Sequence, residues 1–154
     1  MNNQVENVLK NSKTIAMVGV SSLKKKEDPK NLKRKPSIIV MKYMQDYGYK
    51  VIPVNPFAAG ETIYGELVVA ALKDIKSPVD IVDVFRPSIE APVIAEQAAK
   101  IGAKSLWLQY GIKHKMAKKI AIESNMNYFE NLCIKQEYQK IFEKMIPVFP
   151  VLKS

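Results

Sequence analysis

Apolar residues in this chain fall into short blocks separated by longer stretches of mixed character. Residues 14–18 (TIAMV) form one such block. It ends at Gly19 and reads as a buried strand. Similar blocks at 50–54 (KVIPV), 80–85 (DIVDVF) and 104–108 (KSLWL) predict further strands, with shorter ones near Ile63 and Tyr64 and over 127–129. Pro53 removes a ladder donor, so its position in the second strand predicts a strand end or a side without a partner. Between the blocks the pattern turns helical. Residues 3–11 suit a short leading helix. Ile38, Ile39, Met41, Tyr43 and Met44 recur at near-helical spacing, with Pro36 in the first turn and Gly48 as the stop. Further helices are predicted over 67–72, from Ser88 and Pro92 to about Ile101, over 113–124 and over 133–144. The tail IPVFPVLKS reads as extended.

Strands alternating with helices predict one α/β domain: a doubly wound, mainly parallel sheet with helices on both faces. At 154 residues the chain suits a single domain with its core over about 12–140, and no linker or repeat divides it. In such sheets ligands bind beyond the carboxyl ends of the strands, where the strand order reverses. That rule selects the residues just after each strand: Gly19, Val20, Ser21 and Ser22; Val54, Asn55 and Pro56; Arg86; and Gln109, Tyr110 and Gly111.

Composition narrows the ligand. The net charge of +9 favours anionic partners. Much of it sits in residues 24–35, where Lys24, Lys25, Lys26, Lys30, Lys33, Arg34 and Lys35 face only Glu27 and Asp28. No apolar run approaches the roughly 20 residues that cross a bilayer, and the first residues lack a secretory signal pattern, so a cytoplasmic protein with no membrane partner is expected. One cysteine and one histidine leave too few ligands for a structural zinc site.

The loop after the first strand carries the strongest chemical signal. Gly19 lets the backbone turn sharply and approach a ligand, Ser21 and Ser22 offer hydroxyls and N–H groups, and the helix opening at Pro36 adds its positive end and the hydroxyl of Ser37. Together they predict a phosphate site. The dinucleotide fingerprint G-x-G-x-x-G is incomplete, since GVSSLKK keeps only its first glycine, and no carboxylate follows the second strand to hold a ribose. Arg86 can grip a phosphate with two parallel hydrogen bonds, or it can close a surface ion pair. Gln109 can hold an amide-rich ligand, with Gly111 giving room, or it can begin a turn. His114 reads as a surface residue. Cys133 reads as a small buried residue, or as a thiol meeting a ligand. Asp80 and Asp83 lie three apart on one strand and point to opposite faces, so they form no catalytic pair.

The runs IAMVGVSS, KPSIIVMKYMQDYGYKVIPVNP, VDIVDVFRPS and IGAKSLWLQYGI, in that order, resemble the small stand-alone CoA-binding proteins, a Rossmann-like family related to the CoA-binding domain of succinyl-CoA synthetase. The resemblance implies CoA phosphates at Gly19, Val20, Ser21, Ser22 and near Ser37. It implies the nucleotide along Val54, Asn55 and Pro56 and near Arg86, with the pantetheine arm passing Gln109, Tyr110 and Gly111. Two features depart from the family pattern: the lysine-rich lengthening before Arg34-Lys35-Pro36-Ser37, and Asn131-Leu132-Cys133 where Asp-Arg-Cys is usual. The expected function is binding of CoA or an acyl-CoA without catalysis. Two alternatives stay open: a subunit of an acyl-CoA or nucleotide-metabolising enzyme, and a regulatory module sensing NAD(P) or another nucleotide. A homo-oligomer or an acyl-CoA enzyme partner is compatible with these readings. A nucleic-acid partner has only the charge in its favour, because no helix-turn-helix or aromatic platform is evident.

Overall fold

The computed structural model describes residues 3–24 and 36–143. The remainder of the basic segment, residues 25–35, and the proline-containing tail lie outside them. Helix α1 (Asn3–Asn11) leads into β1 (Thr14–Val18). Then follow α2 (Pro36–Asp46), β2 (Lys50–Val54), the two-residue strands β3 (Thr62–Ile63) and β4 (Glu66–Leu67), β5 (Ile81–Val84), α3 (Ala91–Lys100), β6 (Ser105–Leu108), α4 (Lys115–Glu123), β7 (Asn127–Phe129) and α5 (Ile134–Phe142). The five-stranded sheet runs β2-β1-β5-β6-β7, and every pair in it is parallel. Its order reverses between β1 and β5, so the crevice predicted for a ligand opens above those two strands.

Both faces are covered, as the unbroken apolar strands require. Met17, Ile81, Trp107 and Phe129 pack under α1, α2 and α5. Ala16, Val82, Val84, Leu106 and Leu108 pack under α3 and α4. Helix α2 begins at Pro36 and ends as expected at Gly48, which takes a positive φ of 101° while the Tyr49 N–H returns to the Met44 carbonyl at 3.1 Å.

The segment between β2 and β5 differs from expectation. Tyr64 is not in a strand. With Gly65 it forms the two-residue turn of the β3–β4 hairpin, both residues at positive φ (49° and 83°). Residues 67–71 are not helical either, and only Leu72 enters a helical turn, the short 3-10 turn Leu72–Asp74. Val69 pairs with β2 instead: its N–H donates to the Pro53 carbonyl at 3.0 Å, and its carbonyl accepts from the Asn55 N–H at 2.9 Å. The open edge of β2 thus takes up Val69, while the neighbouring Val68 pairs its N–H with the Glu61 carbonyl and its own carbonyl with the Gly60 N–H. Pro53 faces that outer edge, where its missing N–H breaks no bond to β1, but the side expected to be without a partner is met by Val69.

At the opposite end of the sheet Asp80 fastens the strand starts. Its Oδ2 accepts from the N–H groups of Lys13 (2.7 Å) and Thr14 (3.0 Å), while its own carbonyl receives the N–H groups of Lys104 and Ser105. Asp80→Ala removes two charge-assisted bonds at a largely buried carboxylate. It is expected to lower stability by about 1–3 kcal/mol in urea unfolding, with the fold retained by circular dichroism.

Candidate functional site

The chain leaves β1 through Gly19 at a φ of 98°, a conformation that favours glycine. Space enforces the same choice. A Cβ on Gly19 would stand 2.9 Å from both the Phe85 carbonyl oxygen and the Arg86 Cδ. The loop can therefore run over the tip of β5 only as glycine, and the stem of Arg86 lies directly against it. The Gly19 N–H stays in register with β2 by donating to the Val54 carbonyl at 2.8 Å.

Beyond Gly19 the loop is tied on three sides. Val20 is buried in the core, and its carbonyl accepts from Asn55 Nδ2 at 2.8 Å. The Ser21 N–H donates to Ser37 Oγ at 3.0 Å, which joins the loop to the first turn of α2. Ser22 is buried, and its hydroxyl donates to Glu61 Oε2 at 2.6 Å and accepts from the Lys24 N–H at 3.1 Å. Asn55 has a second duty, since its Oδ1 accepts from the Phe57 N–H at 2.8 Å and caps the short 3-10 turn Pro56–Ala58. The side chains of Ser22, Ser37 and Asn55 thus hold the loop's own shape.

Above the β1–β5 reversal lies a cleft of about 540 Å³, within the usual range for small-molecule sites. Of the residues predicted from sequence, Gly19, Val54, Asn55, Pro56 and Arg86 line it. Val20, Ser21, Ser22 and Ser37 build the adjoining loop. Gln109, Tyr110 and Gly111 lie at the tip of β6 and are not among its lining residues. Tyr110 points outward, 77 % exposed. Gly111 takes a φ of 88° and donates its N–H to Asn131 Oδ1 at 2.6 Å. Gln109 is buried, and its amide turns back into the protein.

The far wall of the cleft is not among the strand ends that the topology rule selects. It comes from the Ala70–Leu72 stretch and from Ile89, Val93 and Gln97 on α3 and the turn before it. One signal was available: Val93 is an apolar residue on the solvent side of α3, 56 % exposed, where a helix facing only water would carry a polar group. Glu90 also lines the cleft. Its two oxygens accept from Arg86 Nε at 2.9 Å and Nη2 at 2.8 Å, and this bonding holds the Glu90 carboxyl below its usual range. Of the two roles open to Arg86 in the sequence, the ion pair is the one observed. His114 caps α4, accepting the Met116 N–H on Nδ1 at 3.1 Å, and Cys133 is half-buried at the start of α5.

Asp83 is the most unusual group near the site. It sits in the middle of β5 with no solvent exposure, between Met17 and Trp107. Its Oδ1 accepts from Gln109 Nε2, and among the described residues its Oδ2 meets no hydrogen-bond donor. Burial pushes the carboxyl up to about 7, against the opposing pull of the Gln109 amide. A charged residue centred in an apolar strand, IVDV, was the available sequence signal. The pair fixes Gln109, and Gln109 begins the turn that Gly111 completes.

Comparisons with known proteins identify the family and the fold. The family described as the CoA binding domain matches residues 13–139. The uncharacterised protein YneT of Bacillus subtilis (strain 168) is 36 % identical over 132 residues, covering 86 % of this chain and 90 % of that protein. A solved structure from Thermus thermophilus superposes with a TM-score of 0.80 at 33 % identity, covering 92 % of this chain and 99 % of that one. An acetyl-coenzyme A synthetase of Ca. Korarchaeum cryptofilum shares the fold at a TM-score of 0.64 and 24 % identity, over 80 % of this chain and 27 % of its own.

The raised Asp83 carboxyl has a consequence for stability. The native protein keeps a proton that the unfolded chain releases at the ordinary carboxylate value of 3.8. This contribution is therefore full below that value and is lost as pH rises toward about 7. Asp83→Asn, uncharged and of equal size, is expected to flatten that fall. In urea melts across this range the variant should equal or exceed the wild type at the alkaline end and gain nothing at the acid end. Parallel stability curves would contradict the assignment.

Proposed function

We propose, since the chain belongs to the CoA-binding domain family, that it binds CoA or an acyl-CoA at the β1–β5 reversal and does no chemistry of its own. The observation that carries the reading is the junction of a tied glycine loop with a mostly apolar cleft, in a chain of this family. The two parts suit the two halves of the nucleotide end of such a ligand. Among the described residues the cleft is lined mainly by apolar groups with the amides of Asn55 and Gln97, and its charged residues Arg86 and Glu90 are paired with each other. That environment suits an uncharged base and sugar. The phosphates then fall toward Gly19, Val20, Ser21 and Ser22, where the backbone turns and α2 begins.

Two further points favour CoA over NAD. Gly19 alone remains of the dinucleotide fingerprint. At the end of β2, where a carboxylate would hold the ribose diol, stands Asn55, whose side chain is already bonded to Val20 and Phe57. The non-catalytic reading is supported by the lining itself: among the described residues, no serine, cysteine, histidine or lysine lines the cleft. The pantetheine arm is assigned to the neighbouring β6 tip, past the exposed ring of Tyr110 and the open backbone at Gly111.

Titration calorimetry with CoA, acetyl-CoA, NAD and ATP tests the reading. CoA and acetyl-CoA are expected to bind in the micromolar range, with NAD and ATP weaker. A protein that releases no heat with CoA at these concentrations, or prefers NAD, refutes it.

A further inference from the structure

Arg86 and Glu90 sit face to face in the cleft. The guanidinium presents Nε and Nη2, and the carboxylate meets both at 2.9 and 2.8 Å. This two-point geometry is the one by which an arginine grips a phosphate. A phosphate and Glu90 therefore compete for the same edge of the same side chain. The stem of Arg86 lies against Gly19, so that edge is presented where the chain leaves β1.

Glu90 is well placed to let go. It occupies the position preceding α3 and makes no capping bond to that helix. Both oxygens are committed to Arg86 instead. A released carboxylate would find the positive end of α3 beside it, so its charge is not left stranded in an apolar cleft. Both side chains are also partly exposed, at 39 % and 42 %, and exposed pairs of this kind are weak. A weak internal partner of opposite charge sets a threshold. An isolated anion must displace Glu90 using the Arg86 contact alone. A ligand already anchored by its base and sugar in the cleft displaces it at little net loss.

We propose that Glu90 is the specificity-determining residue of this cleft, holding Arg86 against small free anions and yielding it to a phosphate carried by a ligand seated in the cleft. The proposal rests on the CoA-binding reading and adds to it a selective contact.

The test is Glu90→Gln, which keeps the side-chain shape and removes the charge, titrated with CoA, 3′-dephospho-CoA, pantetheine and inorganic phosphate at low salt. Folding of each variant is checked by circular dichroism. CoA is expected to bind the variant roughly 3- to 5-fold more tightly than it binds the wild type. Inorganic phosphate should gain by a larger factor than CoA, an equal gain contradicting a role in specificity, and pantetheine, which carries no phosphate, should be unchanged. A gain shared by dephospho-CoA assigns the contact to the pyrophosphate, and a gain confined to CoA assigns it to the 3′-phosphate. In an Arg86→Gln background the effect of Glu90→Gln must vanish. If the wild type binds CoA but the variant binds it equally or more weakly, the proposal fails and the CoA reading stands. The proposal also fails if pantetheine gains as much as CoA, or if the effect survives without Arg86. If neither protein binds CoA, the reading fails and takes the proposal with it.

Discussion

The backbone at Gly19 is the constraint from which the site follows. Two parallel strands, β1 and β5, lie side by side at the reversal of strand order, and the chain leaving β1 must cross the tip of β5. It does so at a φ of 98°, with Phe85 and Arg86 so close that a Cβ would stand 2.9 Å from each. This crossing does two things. It lays the loop low enough to be tied to Asn55, Ser37 and Glu61, and it leaves a cleft above the strands walled on the far side by α3. The shape of the site thus comes from main-chain geometry and from hydrogen bonds that fix the main chain, with few side chains aimed into open space.

A second layer of control lies under the neighbouring strand tip. Asp83 has no exposure, and its bonded partner Gln109 begins the turn at the end of β6. A buried carboxyl weakens a sheet of otherwise apolar strands unless it stays protonated or well bonded. Its place here is understandable as a fastening between β5 and the turn after β6. That turn is also tied to the chain before α5, through Asn131 to Gly111 and through the Trp107 indole to the Leu132 carbonyl. The β1 tip at the reversal and the β6 tip on the far side of β5 are thus held by different means: β1 by sterics and β6 by a buried polar pair.

Much of this architecture was legible in the sequence. The strands at 14–18, 50–54 and 127–129 are marked by short apolar blocks, and the helices by their glycine and proline punctuation. These signals are local and strong. The segment 61–72 misled because its fate is decided by a distant partner: Val69 is drawn to the open edge of β2, and Tyr64 accepts a left-handed conformation within a tight hairpin. Tertiary pairing there overrides local pattern. For the site, the topology rule selected the right strand ends, and five of the predicted residues line the cleft. Side-chain direction was not legible. Nothing in the order of residues says that Ser22, Asn55 and Gln109 turn inward or decides between the two roles open to Arg86, and only the apolar Val93 hinted that α3 supplies the opposite wall.

The account places the ligand's phosphates at the loop after β1 and its base in the adjoining cleft. Backbone amide NMR of the isotope-labelled protein, titrated with CoA, tests this placement residue by residue. The account predicts the largest saturable shifts at Gly19, Val20, Ser21 and Ser22, with a second set at Asn55, Phe57 and Ala71. Shifts centred on α4 or α5, with the loop after β1 unmoved, would contradict it.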